Sequence, residues 1–177
     1  MQNSYWKNVV LRQFLAAIRM LENSIRAAPP DVWAKPGQPI EWHETEPVGF
    51  WYVAFHTVFF LDYFLSDSPA SFSSPEPDYM CELDPAGVLP ARVYTKEELL
   101  SYLSHCEAKL VSFVDRISDD RAQDPCGFPG LGLTIGELLL NGCRHVQHHA
   151  AQLNLLLRQH TGAAPRWVFS IEPKDPA

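Results

Sequence analysis

At 177 residues the chain has the size of one domain, and 46% hydrophobic with 20% charged residues excludes a disordered acidic tail or a low-complexity sequence. Lys and Arg total 14 against 21 Asp and Glu, a net charge of -7, and no block of like charge occurs. Nucleic acid is therefore not an expected partner, because phosphate-backbone binding needs clustered Lys and Arg.

Fifteen prolines fall only within 29–47, 69–90, 125–129 and 165–176. Proline is excluded from helix interiors, so four stretches stay open to long helices: 1–28, 48–68, 91–124 and 130–164. In the first, Trp6, Val10, Phe14, Ala17, Leu21 and Ile25 recur at steps of three and four. Its opening, Met1 to Lys7, has none of the marks of a signal peptide, so no leader is expected. In the second, 14 of the 18 residues from Val48 to Leu65 are apolar. His56 and Asp62 in mid-segment argue for a buried helix of a non-membrane protein over a membrane span.

In the third stretch, Leu99, Cys106 and Phe113 interleave with Leu103, Leu110 and Ile117 to give one narrow apolar stripe. Thr95 with Glu98 opens it as a capping box, and Thr134 with Glu137 opens the fourth in the same way. The expected helices are 4–26, 48–65, 95–118 and 134–160, which makes the chain an all-α four-helix bundle in a single domain over 1–177. Twenty-nine residues, Ser66 to Tyr94, join the second and third helices. That is enough to carry the chain back along the bundle and let those two helices run parallel. Residues 166–177 form an extended tail, within which 166–171 are expected to lie against the bundle.

Cys81, Cys106, Cys126 and Cys143 stand far apart with no C-x-x-C pair. They read as free thiols in a reducing compartment, and the cytoplasm is the expected location. On the second helix Trp51, Phe55, Val58 and Leu65 lie opposite the His56 face. A helix apolar on every side must be covered on every side, so a homodimer is expected unless the long connection or the tail covers it.

The chemistry is concentrated in Arg144-His145-Val146-Gln147-His148-His149-Ala150-Ala151-Gln152. Residues four apart on a helix are displaced by about 40° and ~6 Å, so His145 and His149 can face one ion. Leu138 and Leu156 flank that face and turn it inward, while His148 falls on the flank. Gly142, one turn earlier, leaves room either for a ligand or for close helix packing. Two inward imidazoles are costly to bury unless they share a ligand or bond to buried waters and carbonyls, and both readings are open from this helix alone. His56, in the aromatic wall Phe50 to Phe60, is a third candidate at a depth that can meet the pair. Val146 stands where a zinc-protease helix carries its Glu, so that motif is absent. Asp62 points away from His56, His105 and the pair His43-Glu44 are expected at the surface, and Cys106 reads as a small buried hydrophobe.

The lone histidine in the second helix, followed by His145-Val-Gln-His-His149-Ala-Ala-Gln152 in the last, resembles the DinB/YfiT-like superfamily. Phe59-Phe60-Leu61-Asp62-Tyr63-Phe64-Leu65 and Tyr94-Thr95-Lys96-Glu97-Glu98-Leu99-Leu100 look like one of its less-studied branches. The resemblance implies up-down-down-up connectivity and a divalent metal held by His56, His145 and His149. Ala151 departs from the Gly that members often carry before the glutamine. Some members use low-molecular-weight thiols in transfer or isomerisation.

Three imidazoles with an open position follow the pattern of catalytic metal sites. Imidazole suits Zn, Ni, Fe and Cu alike, so a divalent ion such as Zn, Ni, Fe or Mn is expected without its identity. The expected function is a metal-dependent enzyme, thiol-transferase-like or hydrolytic, in which the ion acts as a Lewis acid on a small-molecule substrate. No general base is visible on the inward faces. The alternative is a metal-binding protein without turnover, in which the ion ties two helices together.

Overall fold

The four proline-free stretches each carry a long helix: α1 (Tyr5–Ala27), α3 (Phe50–Phe64), α4 (Lys96–Arg116) and α5 (Ile135–Thr161). The structure is a computed structural model that describes residues 5–35, 38–40 and 43–173, with the backbone alone for 38–40 and 43–48. A one-turn helix, α2 (Pro30–Trp33), follows α1. A short antiparallel hairpin comes next, β1 (Gln38–Ile40) with β2 (His43–Val48), pairing Gln38 with Val48 and Ile40 with His43. The hairpin departs from the all-α expectation. It occupies a proline-rich segment with no helical period, and strand pairing there satisfies backbone groups that a helix cannot. His43 and Glu44 lie outside the residues whose side chains are described.

The helix ends follow from local chemistry. Thr95 accepts from the Glu98 amide and Glu98 reaches back to the Thr95 amide, which starts α4. Thr134 and Glu137 do the same for α5. Each box satisfies two amides that the first turn leaves without an intrahelical partner. At the far end of α5 the chain turns at Gly162 with φ 76°, a left-handed conformation that only glycine adopts without steric cost.

α1 and α4 bury most of the stripe expected of them, whereas on the expected inward face of α5 Gln152 is exposed and His145 and Leu156 are half-buried. Phe14, Ala17, Leu21 and Ile25 of α1 and Leu99, Leu103, Cys106, Leu110 and Phe113 of α4 are all buried. α1 packs on α5 and α4, and α3 packs on the same two helices. Phe14 meets Gly142, and Ser24 Oγ donates to Asn154 Oδ1 at 3.0 Å. Lys7 Nζ donates to the Asp115 carbonyl at 2.9 Å, and Lys96 donates to that of Ala28. Gly142 serves close packing, because a Cβ there would sit 3.1 Å from Phe14 Cζ. Residues 167–171 have no regular structure and lie on α1, where the Ile171 amide donates to the Arg12 carbonyl.

The crossover, residues 66–94, covers the outer side of α3. Phe55 packs on Tyr79 and Tyr94 with ring centroids 5.3 and 4.9 Å away, and the Trp33 indole donates to the Tyr94 carbonyl at 2.9 Å. Phe55, Val58 and Leu65 are therefore buried within the chain, and Trp51 is partly covered. Among the described residues, the face of α3 on which the homodimer expectation rests is covered from within the chain, so that face gives the expectation no support. No helix among the described residues is long and apolar enough to cross a membrane.

Asp62 sets α3 against α4. Its carboxylate is fully buried and accepts from Tyr102 Oη at 2.8 Å and Lys109 Nζ at 2.5 Å. The same ammonium donates to Ser66 Oγ at 2.9 Å. Removing one partner of such a pair leaves the other charge half-buried and unpaired. Asp62→Ala is expected to cost about 3 kcal/mol of stability, read as a lower urea midpoint with an unchanged slope.

Candidate metal centre

α3 and α5 meet along a seam where His56, buried, faces His145 and His149 one turn apart on α5. His145 Nε2 lies 3.4 Å from His56 Nε2 and 3.1 Å from His149 Nε2. One ligand atom from each of the three falls within 4.8 Å of the others, a grouping that could hold a metal ion. A tetrahedral ion with Zn–N bonds near 2.05 Å sets its nitrogens about 3.3 Å apart. The two separations from His145 match that edge and the third pair lies within 4.8 Å, so the donor set fits a small divalent ion.

The outer nitrogens explain why these edges point inward. His56 Nδ1 lies 2.6 Å from Glu82 Oε1, and His149 Nδ1 lies 2.7 Å from Gln152 Oε1. Both partners accept, so each Nδ1 carries the proton and each Nε2 presents a lone pair towards His145. His145 Nδ1 is buried and has no hydrogen-bond partner among the described residues. A carboxylate or amide behind a histidine fixes its tautomer and raises its basicity, as metal-ligating histidines require. The Glu82 side chain is only 3% exposed, and the Tyr52 hydroxyl donates to both its oxygens at 3.2 and 3.0 Å.

Two of the three rings, His145 and His149, are held neutral. Burial first, then repulsion from His149, His56 and His148, pushes the His145 pKa down from 6.5 to about 3. Burial also lowers His149, to about 4, although its bond to Gln152 acts in the opposite direction. Phe60 provides much of the apolar wall, with its ring centroid 4.8 Å from His56 and 6.0 Å from His145. The Tyr52 hydroxyl is held far above its ordinary value by burial and then by Glu82, so it stays a donor.

The three histidines that the family resemblance implies thus come together. His148 is exposed on the flank and packs edge-on to His149 at 5.0 Å. Asp62 is engaged by Lys109 and Tyr102, and exposed His105 comes only to 3.9 Å from it. Cys106 is fully buried with its thiol towards the Val58 carbonyl, away from the cluster. The residue that sequence reasoning missed is Glu82. No acid of α3 or α5 faces the three histidines, but the crossover's 3-10 turn, Pro77–Leu83, brings this one to His56. Twenty-six positions separate the two, and no periodicity links them.

A family model described as the DinB superfamily matches residues 50–153, a span that holds all three histidines. No curated protein and no solved structure matches the chain.

The lowered histidines make stability depend on pH with a definite sign. Unfolded His titrates near 6.5, so between that value and the folded values of about 3 and 4 the unfolded chain binds more protons. Stability is full above about pH 6.5 and falls as pH falls towards those values. Between pH 7 and 5 the metal-free protein is expected to lose on the order of 4 kcal/mol in urea titrations, about 2 from each histidine, and His145→Leu/His149→Leu is expected to flatten that dependence.

Proposed function

The chain belongs to the DinB superfamily, and from that premise we propose that it is a metal-dependent enzyme with His56, His145 and His149 as ligands. The observation that carries this reading is the convergence of three Nε2 atoms at 3.1 and 3.4 Å, two of them with an acceptor behind the ring. The metal reading accounts for these edges without further donors, and it leaves a coordination position for substrate. The alternative, hydrogen-bonded core histidines, gives His145 Nε2 one proton to share between two lone pairs and leaves its Nδ1 without a partner.

The proposed architecture is one domain over 1–177, a four-helix bundle with up-down-down-up connectivity. Contacts of Phe14 with Gly142 and of Ser24 with Asn154 support α1 and α5 running the same way. Lys7 with Asp115 and Lys96 with Ala28 support α4 running against α1. Four free thiols fit a reducing compartment such as the cytoplasm.

When bound, a divalent ion supplies a Lewis acid that activates a thiol or water at neutral pH. The chain's own residues orient and exclude. Glu82 is a positioning residue, since its oxygens are committed to His56 and Tyr52. Gln152 positions His149 in the same way. Phe60 keeps bulk water from the rings. With Glu82 so engaged, a low-molecular-weight thiol is the better-suited nucleophile, because it ionises near pKa 8.5 without a strong base. The second reading, an ion that only ties α3 to α5, draws on the same geometry and differs in the absence of turnover.

Protein purified without a His-tag is expected to carry one divalent ion per chain, measured by elemental analysis, and His145→Ala/His149→Ala is expected to carry none. Stoichiometric metal in both would overturn the site. Glu82→Gln is expected to weaken metal affinity by about 10–100-fold while the helical signal stays unchanged. At about a hundredfold excess over its Kd, the ion is expected to raise stability by ~2.7 kcal/mol. A thiol-plus-electrophile screen beside His56→Ala separates the two readings. Turnover that disappears with the ion supports the enzyme, and a metal-dependent melting rise without turnover supports the structural role.

A further inference from the structure

Two grooves of similar size mark the surface, and their charge differs. One, about 660 Å³, lies between the crossover and α4 and is lined by Glu76, Asp78, Glu97 and Glu98. The other, about 690 Å³, lies between α1, α5 and the C-terminal tail, and no Asp or Glu lines it. In a chain of net charge -7 an acid-free groove of that size is a departure from the general surface.

The acid-free groove presents donors. Arg144, His148 and Gln147 of α5 line it, as does Gln13 of α1. Arg144 and His148 are four apart, so they share one edge of α5. Arg12, Arg19, Arg26, Arg92 and Arg116 each bind a carboxylate. The Arg144 guanidinium has no hydrogen bond or ion pair among the described residues. Trp167 stands over the groove 58% exposed, while Ala16, Ala17 and Ala151 leave the floor shallow. The wall that carries Trp167 is held on α1. Arg12 binds Glu172 at 2.7 Å, and the Gln13 amide donates to the Phe169 carbonyl at 3.1 Å. Ala151 is part of this floor and not of the histidine cluster.

A guanidinium fork matches a carboxylate bidentately, and an exposed indole takes a flat apolar ring. We propose that this groove binds a small aromatic carboxylate, with Arg144 on the carboxylate and Trp167 on the ring. His145 lines the same groove, so a bound ligand lies at the flank of the histidine cluster. The proposal goes beyond the metal reading and does not need an ion.

The test is a benzoate titration of the full chain after dialysis against a chelator, followed by NMR at the Trp167 indole N–H, with Trp167→Phe assigning the signal. Benzoate is expected to shift that signal saturably. Neutral benzamide and inorganic phosphate are each expected to bind at least about tenfold more weakly, and Arg144→Gln is expected to weaken benzoate by a similar factor. Arg144→Lys, which keeps the charge and loses the fork, is expected to fall between. Arg144 is exposed, so melting temperatures should not change. Benzamide or phosphate binding as tightly as benzoate overturns the proposal, as does unchanged affinity in both Arg144 variants. Absence of any shift by about 10 mM benzoate overturns it too. Benzoate binding in a protein that takes up no metal sustains this site while removing the metal reading, and the converse result does the reverse.

Discussion

Three imidazole rings converge between α3 and α5, His56 and His149 buried and His145 half-buried, and nitrogens so placed must be satisfied with little help from water. Burial and mutual repulsion keep His145 and His149 unprotonated, so these two rings offer lone pairs and not charges. Glu82 and Gln152 take the outer N–H groups of His56 and His149. That choice of tautomer turns the remaining lone pairs towards a common centre. The seam between the two helices then has a chemical identity as well as a packed one.

The crossover makes this arrangement possible. It seals the aromatic outer side of α3 through Tyr79 and Tyr94, which removes a face that would otherwise need a second chain. Within the same segment its 3-10 turn delivers Glu82 behind His56, where Tyr52 holds both carboxylate oxygens. On the α4 side of α3, Asp62 ties Tyr102 and Lys109 and so fixes where α3 sits. His56 is consequently held from its own helix, from the crossover behind it and from α4.

α5 has two working faces. Leu138, Val146, His149 and Leu153 turn inward, and Arg144 and His148 turn outward beside α1 and the tail. His145 stands between these faces, in the cluster and in the lining of the acid-free groove. The periodicity of one helix therefore sets ligand chemistry and surface charge side by side, about 100° apart per residue.

The sequence by itself determined the helices and their inward faces. Proline positions marked where helices cannot run, and the structure ends α1, α3, α4 and α5 within two residues of the expected limits. Capping boxes at Thr95 and Thr134 were legible because their bonds span only three residues. His145 and His149 were legible as a pair for the same reason, since helical geometry fixes neighbours four apart. His56 was legible as an inward residue, but its meeting with that pair depended on how α3 and α5 pack. Glu82, the short hairpin, the role of Gly142 against Phe14 and the cover over Phe55 were decided by the tertiary structure alone. Periodicity reports which side of a helix faces inward, whereas the partner it meets there depends on the path of irregular segments that carry no period.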